Sequence, residues 1–322
     1  MVAAVESTPS VAPVVDLASQ LRTSISSVIE GKTETVDMAL IVLLAGGHLL
    51  IEDAPGLGKT MLARTLAKAI DCSVRRIQFT ADLLPSDITG VSIFSPDTRT
   101  FEFKPGGVFA NVVIGDEINR ASPKTQSALL EAMEEQRVTV DGVTHELPSP
   151  FMVVATQNPI EMQGTYPLPE AQRDRFMACI AMGYPARAAE VAMLDHHVSA
   201  DPINSVRPVA DANHVLETMA IVRRVFVHPT LKEYIVEILG HTRSDGRLLL
   251  GASPRAGLQW ARAAMARAAM LGRGYVIPED IAGLAVPVLA HRMILANQRS
   301  DRRNTSEIVA ELVSRVPQPR RV

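Results

Sequence analysis

The sequence predicts a mixed α/β fold, in which a parallel sheet with both faces covered precedes a smaller, all-helical domain. Three observations lead there. Five short apolar runs recur between His48 and Gly183, separated by helical or polar segments, which is the pattern of buried strands alternating with helices. One of these runs leads through a Gly-containing loop directly into a helical segment. Beyond about Pro185 no strand-like run recurs, and helical periodicity takes over.

In chain order, residues 1–15 carry Ser, Pro and Ala but neither a basic stretch nor a continuous apolar core, so they read as a flexible leader. Helices are expected over 14–29 and 34–45, the second stopped by Gly46-Gly47. The strand-like runs are 48–52, 74–79, 112–116, 151–156 and 178–183. Two interruptions read as β-hairpins: 94–103, with Ser95-Pro96-Asp97 between β-prone flanks, and 137–147, with turn chemistry at Asp141-Gly142. The α/β domain is thus assigned to 16–185 and the helical domain to 186–300, with helices over 187–199, 211–225, 231–242, 254–271 and 278–296. Residues 301–322 form a basic, proline-containing tail with room for a short helix, expected to fray. At 322 residues the chain is long enough for two cores.

Composition narrows the function classes. The net charge of -3 supplies no electrostatic footprint for nucleic acid, so no nucleic-acid partner is expected. Cys72 and Cys179 are the only cysteines, and neither stands in a metal-ligand or disulfide spacing; they read as buried thiols of a reducing compartment. His196-His197 and the other histidines likewise lack ligand spacing. The longest apolar stretch, 38–51, is broken by Gly46, Gly47 and His48 and is too short to span a bilayer, so a cytoplasmic protein without membrane insertion is expected.

The chemistry concentrates at the ends of the strand-like runs. Asp53-Ala54-Pro55-Gly56-Leu57-Gly58-Lys59-Thr60 follows an apolar strand and opens a helix through Met61, the order strand, phosphate-binding loop, helix. Such a loop converges backbone N–H groups and a helix N-terminus on one spot, where phosphate oxygens are stabilised. Gly56 and Gly58 allow close backbone approach, Lys59 brings a positive charge to the β/γ-phosphates of ATP, and the Thr60 hydroxyl ligates Mg²⁺. Asp53 stands where the motif expects its first Gly. The run 112–116 ends in Asp116-Glu117, one acid for the metal and one to orient and deprotonate a water. Ser122-Pro123 then signals a new helix through Gln136. The run 151–156 leads to Asn158, which either probes a γ-phosphate at the mouth of the sheet or initiates a turn before Pro159.

These stretches together resemble the MoxR-type AAA+ ATPases, nearly continuously from about Val28 to Tyr184. The most specific portions are Gly106-Gly107-Val108-Phe109, the segment Asn119 to Gln126, Ala155 to Pro159, and Tyr166 to Gln172 followed by Asp174-Arg175-Phe176. The resemblance implies an AAA+ core with two hairpin insertions and a small helical lid domain. It implies a Walker A motif at 55–60, with Asp53 usual where the longer pattern has its first Gly, a Walker B pair at Asp116-Glu117 and a sensor 1 at Asn158. Arg173, where the family more often has an apolar residue, is a departure. Arg175 resembles the family's arginine finger, and a guanidinium supplied by a neighbouring subunit would neutralise charge on a transferred phosphoryl group; without the family, a surface Arg175–Asp174 pair explains it as well. Arg255 resembles sensor 2 at the start of a lid helix, where a cation opposes the helix dipole. Part of the adenine pocket would fall at Ile29 and Gly31. The family further implies ATP hydrolysis in a homo-oligomeric, hexameric ring acting as a chaperone-like remodeller of protein clients, often beside proteins with von Willebrand factor A domains. Alternative readings are a non-hydrolysing nucleotide-dependent scaffold and a DNA-directed AAA+ motor. A GTPase lacks support, since no N-K-x-D segment occurs.

Overall fold

The computed structural model describes residues 10–159, 164–187, 190, 202–296 and 303–319. Two helices open the chain, α1 (Ala12–Ser26) and α2 (Thr33–Leu44). Residues 12–15, assigned above to a leader, are the first turn of α1, because Pro13 suits the first helical turn and Val14 is fully buried. The strands and helices that follow are β1 (Leu49–Glu52), α3 (Lys59–Ala69), β2 (Val74–Gln78), α4 (Pro85–Thr89), β3 (Val91–Ser95), β4 (Thr100–Lys104) and β5 (Val112–Asp116). Then come α5 (Pro123–Glu135), β6 (Arg137–Val140), β7 (Val143–Glu146), β8 (Met152–Gln157), α6 (Glu170–Arg173) and β9 (Ala178–Ile180). Five of these strands form one parallel sheet in the order β2-β5-β8-β1-β9. Strands β5 and β8 are buried along their whole length, which is why they read as unbroken apolar runs. One face packs on α1–α3 and the lid, the other on α5 and its neighbours.

Both insertions are hairpins in the expected places. β3 pairs antiparallel with β4 and β6 with β7, the latter turning at Asp141 and Gly142, both with positive φ.

The second domain contains α7 (Ala212–Val222), α8 (Pro229–Ser244), β10 (Leu248–Leu250), α9 (Pro254–Met270), α10 (Pro278–Ala282), α11 (Ala285–Leu289), β11 (Ile294–Leu295) and α12 (Arg303–Arg315). The expected helix over 187–199 lies largely outside the described residues, as do His196 and His197. Two expectations are corrected. The domain is not all-helical, because β10 and β11 form a short antiparallel ladder. The helix expected over 278–296 is interrupted: α10 stops at Gly283, on which the Arg267 guanidinium packs so closely that a Cβ would collide with Nη1, and a 3-10 turn at Ala290–Arg292 leads into β11. Part of the expected fraying tail is also core. α12 buries Ile308, Val309 and Leu312, and Val316 follows them. Among the described residues no helix is long and apolar enough to cross a membrane.

Candidate functional site

Parallel pairing brings the C-terminal ends of β1, β5 and β8 to one edge of the sheet, and with them the loop 53–58, Asp116-Glu117 and Asn158. Gly56 and Gly58 both have φ of 83°, the left-handed region that a β-carbon disfavours, and Gly58 is the N-cap of α3 without a side-chain cap. The first N–H groups of α3 are therefore left for an anion. Space around Gly56 is open, since nothing lies within 4 Å of where its Cβ would be. Lys59 Nζ donates to the Asp53 carbonyl oxygen at 2.5 Å. Burial lowers the Lys59 ammonium below its usual range, while Asp53, Asp116 and Glu117 pull it back up. Leu57 and Met61 are half-buried against the core, and Ala54 and Pro55 line the loop.

The Asp53 carboxylate has a structural task of its own. It accepts from its neighbour Ala54 N at 2.8 Å and from Gly183 N at 2.6 Å, tying the loop 53–58 to the chain leaving β9. Beside it, Lys32 Nζ donates to the Tyr184 carbonyl at 2.8 Å, which brings Gly31 to the same end of the sheet. Ile29 is a buried core residue.

The acidic pair is held by a dense network. Thr60 Oγ1 donates to Asp116 at 3.1 Å, Thr156 Oγ1 donates to Asp116 Oδ1 at 3.1 Å, and Arg76 Nε pairs with Asp116 Oδ2 at 2.5 Å. Glu117 takes a left-handed conformation, φ 56° and ψ 49°, with its N–H donating to Thr156 Oγ1 at 3.0 Å. Its carboxylate accepts from Gln78 Nε2 at 3.0 Å and pairs with Arg120 at 3.1 Å. Carboxylate and hydroxyl oxygens of this kind suit a hard cation such as Mg²⁺. Asn158 sits immediately beyond β8 on the same edge, nine-tenths buried.

Arg175 and Arg255 are not part of this cluster. Arg175 pairs with Glu134 Oε2 at 2.9 Å, and Arg255 pairs with Glu134 Oε1. The local pair Arg175–Asp174 does not form, because Asp174 is taken by Ser253 and Arg292. Glu134 lies at the far end of α5, where Met133 O meets His48 Nε2 at 3.1 Å. His48 precedes β1, at the opposite end of the strand from the phosphate loop. Five residues at about 3.3 Å each separate the two edges by roughly 16 Å, beyond the reach of an arginine side chain.

Several site residues escaped the sequence reading. Thr156 and Gln78 lie in strand-like runs with nothing to mark them, and Glu134 belongs to an acid-rich helix face that reads as solvated. Cys72 and Cys179 are half-buried instead of buried, and burial pushes the Cys72 thiol up to about 11. A cleft of about 550 Å³ between α2, β9 and the second domain contains none of the predicted site residues.

A family model described as "ATPase family associated with various cellular activities (AAA)" matches residues 48–178, and an "AAA lid domain" model matches 240–312. Chaperone MoxR1 of Mycobacterium tuberculosis (strain ATCC 25618 / H37Rv) is 41% identical over 280 residues, covering 84% of this chain and 74% of that protein. The uncharacterized protein YeaC of Bacillus subtilis (strain 168) is 49% identical over 296 residues, 92% of each chain. A solved structure from Cytophaga hutchinsonii ATCC 33406, described as a candidate ATPase, superposes with a TM-score of 0.87 at 38% identity, covering 95% of this chain and 96% of that one. With the core and lid models matched in that order on the two domains, and a named MoxR relative aligned along most of its length, this chain belongs to the MoxR family of AAA+ ATPases.

Proposed function

We propose that the chain hydrolyses ATP to ADP and phosphate in a ring of identical subunits, each active site completed by its neighbour, and spends the cycle on remodelling protein partners. The observation that carries this reading is the separation of two half-sites: Lys59, Thr60, Asp116 and Glu117 on one edge of the sheet, Arg175 and Arg255 on the other. Such halves become whole only when like subunits meet head to tail.

In this reading the N–H groups of 56–61 and the Lys59 ammonium hold the phosphates, with Lys59 exchanging the Asp53 carbonyl for a phosphate oxygen. Thr60 and Asp116 would hold Mg²⁺, which would neutralise charge on the phosphates. Glu117 orients and deprotonates the attacking water once its carboxylate leaves Gln78 or Arg120, and Asn158 positions that water. Arg175 and Arg255 leave Glu134 for the neighbour's triphosphate, acting in trans. A hexameric ring and clients that include partners of von Willebrand factor A type are supported by family resemblance, the reading without nucleic acid by the net charge of -3, and a cytoplasmic location by the lack of a long apolar stretch in the sequence, while a relative named as a chaperone favours protein clients.

Phosphate release separates this reading from a non-hydrolysing scaffold. Glu117→Gln is expected to bind ATP and lose turnover, Arg175→Ala to lose turnover by roughly 10³-fold with binding retained, and a mixture of the two to regain activity. Mixed rings, confirmed by light scattering, that stay as inactive as either variant would remove the trans arrangement. Wild-type protein that binds ATP without releasing phosphate at any concentration would leave the scaffold.

A further inference from the structure

We propose that Arg292 of the lid is the positioning residue of Arg175, so that the finger, although its chain position is in the α/β domain, is held jointly by both domains and is coupled to the lid. The proposal rests on the reading of Arg175 as a residue that completes the neighbour's site.

The segment 174–177 joins α6 to β9, and its backbone is divided between the two domains. Every amide faces the α/β side: Asp174 N donates to Glu170 O, Arg175 N to Gln172 O, Phe176 N to Arg173 O and Met177 N to His48 O. Every carbonyl is taken by a lid side chain. Arg292 donates to Asp174 O at 3.3 Å, Phe176 O at 2.5 Å and Met177 O at 3.2 Å, while Gln259 Nε2 donates to Arg175 O at 3.4 Å. His291 Nε2 reaches Phe176 O at 3.1 Å. Burial, then the neighbouring Arg292 cation, hold the His291 imidazole well below its usual range, so the ring is neutral and donates.

Arg292 organises this seam. Its side chain is 1% exposed, and besides the three carbonyls it meets Asp174 Oδ1 at 2.9 Å and the Gln259 side-chain oxygen. Asp174 is fixed from a second direction by Ser253 Oγ at 2.9 Å, and Ser253 is the N-cap of α9, two residues before Arg255. The finger, the lid helix that carries Arg255 and the buried guanidinium are therefore one hydrogen-bonded unit. A buried cation is costly, and packing alone would be served as well by an apolar residue of this length. What an apolar residue cannot do is collect five backbone and side-chain acceptors in a fixed fork. The seam thus specifies where the finger's backbone stands relative to the lid, and any lid rotation in one subunit shifts a charge in the site of the next.

The test uses full-length protein in mixed rings. Arg292→Met removes the fork without stranding a charge of its own, and is expected to keep ATP-analogue affinity while losing turnover by roughly 10²-fold, the scale of an ångström-sized misplacement. Mixed with Glu117→Gln subunits, which lend an intact finger, it should regain activity. Mixed with Arg175→Ala subunits, it should stay inactive, because neither partner places a finger. A general structural defect would abolish activity in both mixtures and overturn the proposal, as would activity restored in both. Arg292→Lys keeps a cation beside Asp174 but lacks the fork; if Arg292→Met fails to fold, the same asymmetry is expected of the lysine variant, and wild-type turnover in it would overturn the proposal. The control mixture of Arg175→Ala with Glu117→Gln separates the two levels. If it regains activity while Arg292→Met donates a finger normally, only the role of Arg292 falls. If Arg175→Ala alone is fully active, the finger reading falls and this inference with it.

Discussion

Thr156 joins both acids of the candidate site through one hydroxyl, and its replacement by Val is the most informative single substitution. The change keeps volume and β-branching in a residue that is 2% exposed, so it leaves no cavity. It removes the donor to Asp116 Oδ1 and the acceptor for Glu117 N–H. Asp116 keeps Thr60 and Arg76, which softens the first loss, but the Glu117 amide has no other partner within the network and is left unpaired, a cost of about 1–3 kcal/mol. That amide belongs to a residue held in the left-handed region, itself unfavourable by about 1–2 kcal/mol without support. That strain is present in the wild type as well and is not added by the substitution, so a net destabilisation of about 1–3 kcal/mol follows, read as a fall in the urea midpoint of up to about 1 M. Turnover should fall by roughly 10²-fold, because the Glu117 carboxylate loses its fixed origin, while ATP-analogue affinity changes far less. Thr156→Ser restores the hydroxyl and should recover most of both losses. If Thr156→Val matched wild type in turnover, or if the Ser variant were as impaired as the Val variant, the hydroxyl bridge would not be what holds Glu117.

Two further perturbations address the other halves of the molecule. Lys59→Ala is expected to abolish nucleotide binding, since no other cation of the loop faces the triphosphate; a fluorescent ATP-analogue titration with unchanged affinity would contradict the loop's assignment. His48 is buried and its pKa is lowered to about 4, so the unfolded chain takes up a proton near pH 6.5 that the folded chain refuses until about pH 4. Stability from this group is full above pH 6.5 and declines as pH falls to about 4, by about 3 kcal/mol. Urea midpoints followed from pH 7 to 4.5 should therefore fall less steeply in His48→Gln than in wild type; parallel slopes would show that His48 does not drive the loss.

Much of this architecture was legible because burial and turn chemistry act locally. The runs ending at Glu52, Asp116 and Gln157 are buried on both faces and so carry no polar alternation, while Asp141-Gly142 announces its hairpin by residue type alone. Lys59, Thr60, Asp116 and Glu117 stood out because the loop and strand-end patterns are contiguous. What stayed hidden depends on residues distant in sequence. The short β10–β11 ladder pairs segments more than forty residues apart and has no alternation long enough to register. At the break near Gly283 the Arg267 side chain lies where a Cβ would stand, a contact no local pattern encodes. Nothing in the residues around Glu134 and Arg292 marks them, yet one collects two arginines and the other is sealed inside the domain seam.

The outer strand β2 carries a further consequence. It closes one side of the five-stranded sheet, and Val74, Arg75, Arg76 and Gln78 are exposed along it, with only Ile77 turned into the core. A bare strand edge offers unpaired amides and carbonyls to any extended chain that drifts alongside, and stacking of such edges is how soluble proteins clump. Two adjacent guanidinium groups make that approach unfavourable, because an incoming strand would have to strip their water. Arg76 does this while its Nε stays on Asp116, so a single side chain guards the solubility of the sheet and neutralises the acid at its heart.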